Sequence, residues 1–131
     1  MSAFTLRLLA ADRAQTIDNV LSFSGEDKSG SFSILANHER FMTVLTFGLA
    51  RVRLADGTQE YLGLPGGLLY FCDNVMSVST RRYLRGADAS RIAETLSHEL
   101  LEEEQALEQV RRNIRRLEAQ MLSHLTQLGG I

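Results

Sequence analysis

Ala87–Leu128, ADASRIAETLSHELLEEEQALEQVRRNIRRLEAQMLSHLTQL, contains no Gly and no Pro, and its composition favours helix throughout. Apolar residues recur along it with a seven-residue repeat: Leu96, Leu100, Leu107, Val110, Ile114, Leu117, Met121 and Leu128 take the a and d positions. Glu103 and His124 interrupt the pattern. Burying these apolar side chains with water fully excluded contributes on the order of 10–20 kcal/mol. What covers this stripe is the functional question the sequence poses. A continuous helix of this span measures roughly 60 Å, whereas a compact body built from the preceding residues has a radius of gyration of about 12 Å. Such a helix either folds back as a hairpin or lies along another subunit or another copy of itself. No Gly, Pro or Asn-Gly marks a hairpin turn, so the sequence predicts one long helix.

The ends of the stretch carry their own signals. Asp88 or Ser90 can cap the helix, with Asp88 also complementing the N-terminal dipole. Gly129-Gly130 suits a helix end. Charge along the surface is split by sign: Glu99, Glu102, Glu103, Glu104 and Glu108 come first, then Arg111, Arg112, Arg115 and Arg116. Such blocks form a solvated face or pair across an interface. Tyr83-Leu-Arg-Gly86 reads as the boundary, giving a β domain over residues 1–84 and a helical domain over 87–131.

Upstream of that boundary the pattern changes to short β-like runs. Phe4, Leu6 and Leu8 alternate with polar neighbours, as in a half-buried strand. Further runs cover 15–23, 32–35, 41–47, 61–64, 68–71 and 75–79. Ala50, Val52 and Leu54 alternate with Arg51 and Arg53. Gly25 to Gly30 reads as a turn cluster, Asp56-Gly57 as a hairpin with both central residues at positive φ, and Asp73-Asn74 as another tight turn. Many short strands without crossover helices predict an antiparallel β-sandwich or barrel and argue against a parallel sheet.

Composition narrows the function. The 131 residues suit one compact domain with an appendage. Basic and acidic residues number 9 and 8 up to Gly86 and 5 and 8 from Ala87 on, which is no nucleic-acid profile. The lone Cys72 excludes an internal disulfide framework and reads as a small apolar strand residue in a reducing compartment. No signal-peptide core and no apolar run of membrane-spanning length occur, so a soluble, cytoplasmic protein is expected. Catalytic motifs are missing too. His98-Glu99 begins a zinc-protease pattern, but Glu102 stands where the second His belongs. Gly63 to Gly67 lacks the Gly-Lys-Ser/Thr ending of a phosphate loop, and no nucleophile elbow occurs. No cofactor or metal is expected.

Gly25-Glu-Asp-Lys-Ser-Gly-Ser-Phe-Ser-Ile-Leu-Ala-Asn-His38, followed by Leu45 and Gly48, resembles the epsilon subunits of F-type ATP synthases. That family carries Gly-Glu-Asp-Gly-Glu-Phe-Gly-Ile-Leu-Pro-x-His. Leu64-Pro-Gly-Gly67 is similar to its Ser-Gly-Gly turn, and Asn74-Val-Met-Ser-Val78 to its Asn-x-Val-x-Val strand. The order of a β domain and a helical tail matches as well. Ser33 and Ala36 stand where the family has Gly and Pro, the Gly25 loop is a residue longer, and the linker between two tail helices is missing. These departures suit a divergent branch, such as the alternate, sodium-type operons.

The resemblance implies a ten-stranded sandwich at the foot of a rotor shaft and no chemistry of its own. It places a gamma-subunit contact at one end of the sandwich, which brings in Gly66 and Gly67. It points Gly30, Ser31, Phe32 and His38 at the polar loops of the membrane ring. It also implies a tail that rises along gamma and inhibits ATP hydrolysis, with Arg111, Arg112, Arg115 and Arg116 facing the alpha/beta head. The location implied is peripheral, on the cytoplasmic face of the plasma membrane. Asp88-Ala-Ser-Arg91 and the Arg111/Arg115 and Arg112/Arg116 pairs partly match nucleotide-binding motifs of some members, although Ile92 replaces an Ala. The alternative function is a homodimeric parallel coiled-coil module with a ligand-binding β-sandwich; an enzyme is a distant third.

Overall fold

Alternation places the first side chains: Phe4, Leu6 and Leu8 of β1 (Phe4–Leu9) are buried, and their neighbours are not. A computed structural model describes residues 2–129, with β2 (Ala14–Asp27), β3 (Gly30–Leu35), β4 (Phe41–Leu45), β5 (Gly48–Leu54), β6 (Gln59–Leu64), β7 (Gly67–Cys72), β8 (Val75–Ser79), β9 (Leu84–Gly86) and α1 (Ala89–Gly129) following. Two layers form around β2. Its first half pairs with β1, which continues through β8 and β7 to β4; its second half pairs with β3 on one side and β5 on the other, and β6 and β9 extend from β5. The register shifts between Val20 and Ser22, where the strand bends from one layer into the other. Between the layers lie Phe23, Phe71, Leu62, Leu69, Val52 and Val78, all fully buried. The β-sandwich with one long C-terminal helix is the architecture the sequence predicts.

Several details differ from expectation. Nine strands occur among the described residues where the resemblance implies ten, because the 14-residue β2 runs unbroken and serves both layers. The pairing is antiparallel throughout, as expected of the sandwich, except for β1 with β8, which is parallel. Some 70 residues of intervening sandwich carry the chain back between them, so no crossover helix is needed. Gly25 to Asp27 belongs to β2, and the turn is only Lys28-Ser29. Asp56-Gly57 does form a hairpin, but Gly57 alone has positive φ, in a four-residue loop closed by Gly57 N–H on the Leu54 carbonyl. Positive φ at both central residues occurs instead at Asp73-Asn74 (51° and 62°). There the Asn74 side chain accepts from the Asn37 amide and donates to the Ala3 carbonyl, both at 2.8 Å.

Asp88 supplies the helix cap, its carboxylate accepting from the Arg91 amide. The chain divides into two compact units at the Leu96–Ser97 junction, inside α1. In the first unit Ile92 and Leu96 are buried over Gly63, where an added Cβ would lie 2.6 Å from Ile92 Cγ2. In the second, Leu101, Leu107, Val110, Ile114, Leu117, Met121, Leu122 and Leu125 are each 49–65% exposed. Gly129 still belongs to the helix; the Leu128 side chain and Gly130 lie outside the described residues.

Gly66 and Gly67 divide two requirements between them. Gly66 has φ of 135°, whereas Gly67 brings its backbone so close to β8 that a Cβ would stand 2.7 Å from the Ser79 carbonyl oxygen. Gly67→Val should therefore lower sandwich stability by about 2 kcal/mol or more, read as a fall in the urea midpoint at unchanged slope. An unaltered midpoint would remove the close approach from the account.

Candidate partner-docking surface

β4 and β7 present apolar residues on both faces. Inward, Leu45, Leu69 and Phe71 enter the core. Outward, Met42 pairs with Tyr70 and Val44 with Leu68 across the antiparallel ladder. Met42 is 59%, Val44 66% and Leu68 44% exposed, and Tyr70 is half-buried. Beside them the surface turns polar, since Ser77 lies opposite Tyr70 and Arg7 opposite Ser77. At the Cys72 end of the block lies Arg40, whose pKa is raised first by the Cys72 side chain and then by Tyr70. Tyr70's hydroxyl is pushed above its ordinary value, first by its interaction with the Cys72 side chain and then by desolvation. A block of aliphatic side chains ringed by polar ones is the anatomy of a protein interface.

The strand pairings sort the sequence candidates between the two ends of the sandwich. Gly67 pairs with Leu45, Leu45 with Asp27, and Asp27 with Gly30, so Gly30, Ser31, Gly66 and Gly67 share one end. Gly30 has φ of 122°, and Ser31 donates to Glu26 at 3.2 Å. His38 is at the other end, past the far terminus of β3, about 17 Å of strand away. Its ring lies edge-on to Phe41 and Phe71 at 5.7 and 5.9 Å, and Phe32 reaches the same aromatic row through Phe41 at 5.6 Å. Phe32 packs against the core, and His38 is exposed.

In the helical unit, Arg111, Arg112, Arg115 and Arg116 are all exposed, with Arg111 and Arg115 contacting Glu108 at 3.6 and 3.3 Å. Near the cap, Asp88 is committed to the helix terminus, Arg91 is exposed, and Arg85 is paired with Glu60 at 2.6 Å. His98 contacts Glu102 at 3.0 Å as a helix-surface pair.

Met42, Val44, Leu68 and Tyr70 were not among the residues the sequence singles out. Their signal was present, because 41–47 and 68–71 lack the alternation of a strand with one wet face. A strand apolar on both faces in a small sandwich needs a second cover.

A sandwich with such a block, followed in sequence by one long helix with an exposed stripe, is the build of an assembly subunit. The family described as the ATP synthase delta/epsilon chain, beta-sandwich domain, matches residues 3–86. An ATP synthase epsilon chain of Delftia acidovorans is 31% identical over 99 residues, covering 70% of each chain. The epsilon chain 2 of Cereibacter sphaeroides is 28% identical over 109 residues, or 82% of this chain and 75% of its own. Among solved structures, a chain of the Euglena gracilis mitochondrial ATP synthase (OSCP/F1/c-ring) superposes with TM-score 0.61 at 20% identity, over 75% of this chain and 64% of its own. A chain of the Tetrahymena thermophila mitochondrial ATP synthase central stalk and c-ring gives 0.54 at 13%, over 64% and 69%. At those identities the structural likeness is one of fold. The chain belongs to the ATP synthase delta/epsilon-chain family, as an epsilon-type chain.

One carboxylate fixes the end that carries Gly30 and Ser31. Asp27 accepts from the Ser29 amide and hydroxyl and from the Thr43 hydroxyl, bonds that hold its pKa below the ordinary aspartate value, the Ser29 hydroxyl contributing most. A carboxylate depressed on folding adds stability above the unfolded-state pKa and loses it as pH falls through the folded one. Asp27→Asn should therefore flatten the fall of stability with acidification below about pH 4. Equal slopes in the variant and the parent would show that these bonds do not favour the ionised form.

Proposed function

We propose that this chain is the epsilon subunit in the central stalk of a rotary F-type ATP synthase, where it couples rotation of the membrane ring to the catalytic head. The observation that carries the reading is the exposed cross-strand block of Met42, Val44 and Leu68 on a family sandwich. In this reading gamma covers that block and reaches the neighbouring Gly66-Gly67 turn. The residues the resemblance points at the ring divide between the ends of the sandwich: Gly30 and Ser31 lie beside the Gly66-Gly67 turn. His38, joined through Phe41 to the core-packed Phe32, lies at the opposite end and contacts the membrane ring, and Arg111, Arg112, Arg115 and Arg116 meet acidic surfaces of the alpha/beta head. In this reading the chain works as a β domain over residues 1–84, whose last strand β9 runs on to Gly86, and a helical domain over 87–131. The chain does no chemistry itself and sits peripherally on the cytoplasmic face of the membrane; none of its described helices is long and apolar enough to cross one. The assemblies of the two structural neighbours, one named for its F1 and c-ring and the other for its central stalk, support the stalk position. The ligand-binding alternative has less support, since the space between the layers is filled by Phe23, Phe71 and their neighbours.

Co-purification from native membranes tests the assignment, with gamma and ring subunits expected alongside the chain. Val44→Glu, on an exposed position, should leave the isolated protein folded and weaken capture by gamma at least tenfold, because a charge would be desolvated in the contact. Undiminished capture would place gamma on another surface.

Truncation after Glu104 tests the tail, since it removes the basic block and most of the exposed stripe. An inhibitory tail predicts an assembled complex that hydrolyses ATP faster, with high salt mimicking part of the gain through screening. A hydrolysis rate indifferent to the truncation would leave the tail without a regulatory role.

A further inference from the structure

Met42, Tyr70, Ser77 and Arg7 stand in one row across β4, β7, β8 and β1, each paired with the next. Tyr70, Ser77 and Arg7 point away from the core, because their strand neighbours Leu69 and Phe71, Met76 and Val78, and Leu6 and Leu8 are buried. We propose that the partner surface covering the apolar block presents a carboxylate to Arg7, and that this pair steers docking. The proposal rests on the stalk reading, with gamma as the partner, and adds the chemistry of gamma's side of the contact.

Size brings Arg7 into the contact. The block of Met42, Val44, Leu68 and Tyr70 offers on the order of a few hundred Å². A specific interface covers about 800 Å² on each partner, a disc of roughly 16 Å radius. With strands about 4.8 Å apart, Arg7 lies about 12 Å from the line between β4 and β7. A partner centred on the block therefore comes over it, near the rim of the contact.

Charge then decides what the partner carries there. Arg7 is exposed, and among the described residues it makes no hydrogen bond or ion pair. Nearby charges are engaged elsewhere. Arg40 has Cys72, Tyr70 and Asp73 beside it, and Asp18, two residues beyond the Thr16 that pairs with Arg7, accepts from the Thr5 hydroxyl at 3.4 Å. A neutral patch laid over Arg7 would strip water from the guanidinium without return, and a basic one would repel it. A carboxylate accepts the guanidinium's paired N–H donors. At the rim such a pair acts on the encounter more than on the lifetime of the complex.

Association with immobilised gamma of the same synthase, followed at about 25 and 300 mM salt, tests the pair. Arg7→Gln should slow association roughly tenfold at the lower salt and flatten its salt dependence, with dissociation little changed. Arg7→Lys should keep most of the parent's rate. Carbodiimide should also join the new lysine of that variant to an Asp or Glu of gamma, a link told by mass from any made by Lys28, the only native lysine. Equal rates and equal salt dependence for the parent and Arg7→Gln would overturn the proposal, as would an Arg7→Lys complex without that link. If Val44→Glu still lost capture in the same series, gamma would remain the cover of the block and only the carboxylate would fall. If Val44→Glu were captured undiminished, the docking face itself would fall, and the proposal with it.

Discussion

A single strand, β2, hydrogen-bonds to four others, and the sandwich takes its register from it. Because β2 bends between Val20 and Ser22, one face of its first half and one face of its second both point into the same interior, where Val20 and Phe23 are fully buried. Slipping β2 by one residue would turn those side chains out to water. Its far end then dictates what the surface displays. Asp27 pairs with Leu45 at the end of β4 and holds Thr43 by its hydroxyl, so the outward positions of β4 fall to Met42 and Val44. The docking block is thus a consequence of the same register that fills the core.

The helix answers to a different constraint. Gly63 and Gly86 leave the space on the sheet that Ile92 fills, and burial of Ile92 and Leu96 fastens the first turns of α1. From Ser97 on, charge pairs such as Glu108 with Arg111 and Arg115 run along the helix, and Leu107, Val110, Ile114 and Leu117 are exposed. A stripe of this length would be a liability in a protein that worked alone. On the proposed reading it is an attachment surface, and the split of charge along it would make the contact sensitive to salt.

The sequence carried the large features well. Freedom from Gly and Pro over some 40 residues left few options but one helix, and strict alternation at Phe4, Leu6 and Leu8 left few options for β1. What it hid was decided by contacts distant along the chain. Asp56-Gly57 and Asp73-Asn74 look like the same kind of turn, yet only the second is held from outside, by Asn37 and Ala3, and only there are both residues at positive φ. The parallel β1–β8 pair joins segments that local pattern cannot relate. The family signature from Gly25 to His38 marked a continuous stretch, but β3 stretches it from one end of the sandwich to the other, separating Gly30 and Ser31 from His38. The docking block was legible in principle as missing alternation in β4 and β7. It became visible as one surface only once Met42 was paired with Tyr70 and Val44 with Leu68.

Hydroxyl-radical footprinting of Met42 in the free chain and in the membrane-extracted synthase tests the central claim most directly. The thioether is 59% exposed in the chain alone and should oxidise readily there. Seated against gamma it should be protected several-fold, while exposed residues away from the block, such as Arg53, keep their reactivity. Equal oxidation of Met42 in the two states would contradict the account, since the face on which the assignment rests would then remain open in the assembled enzyme.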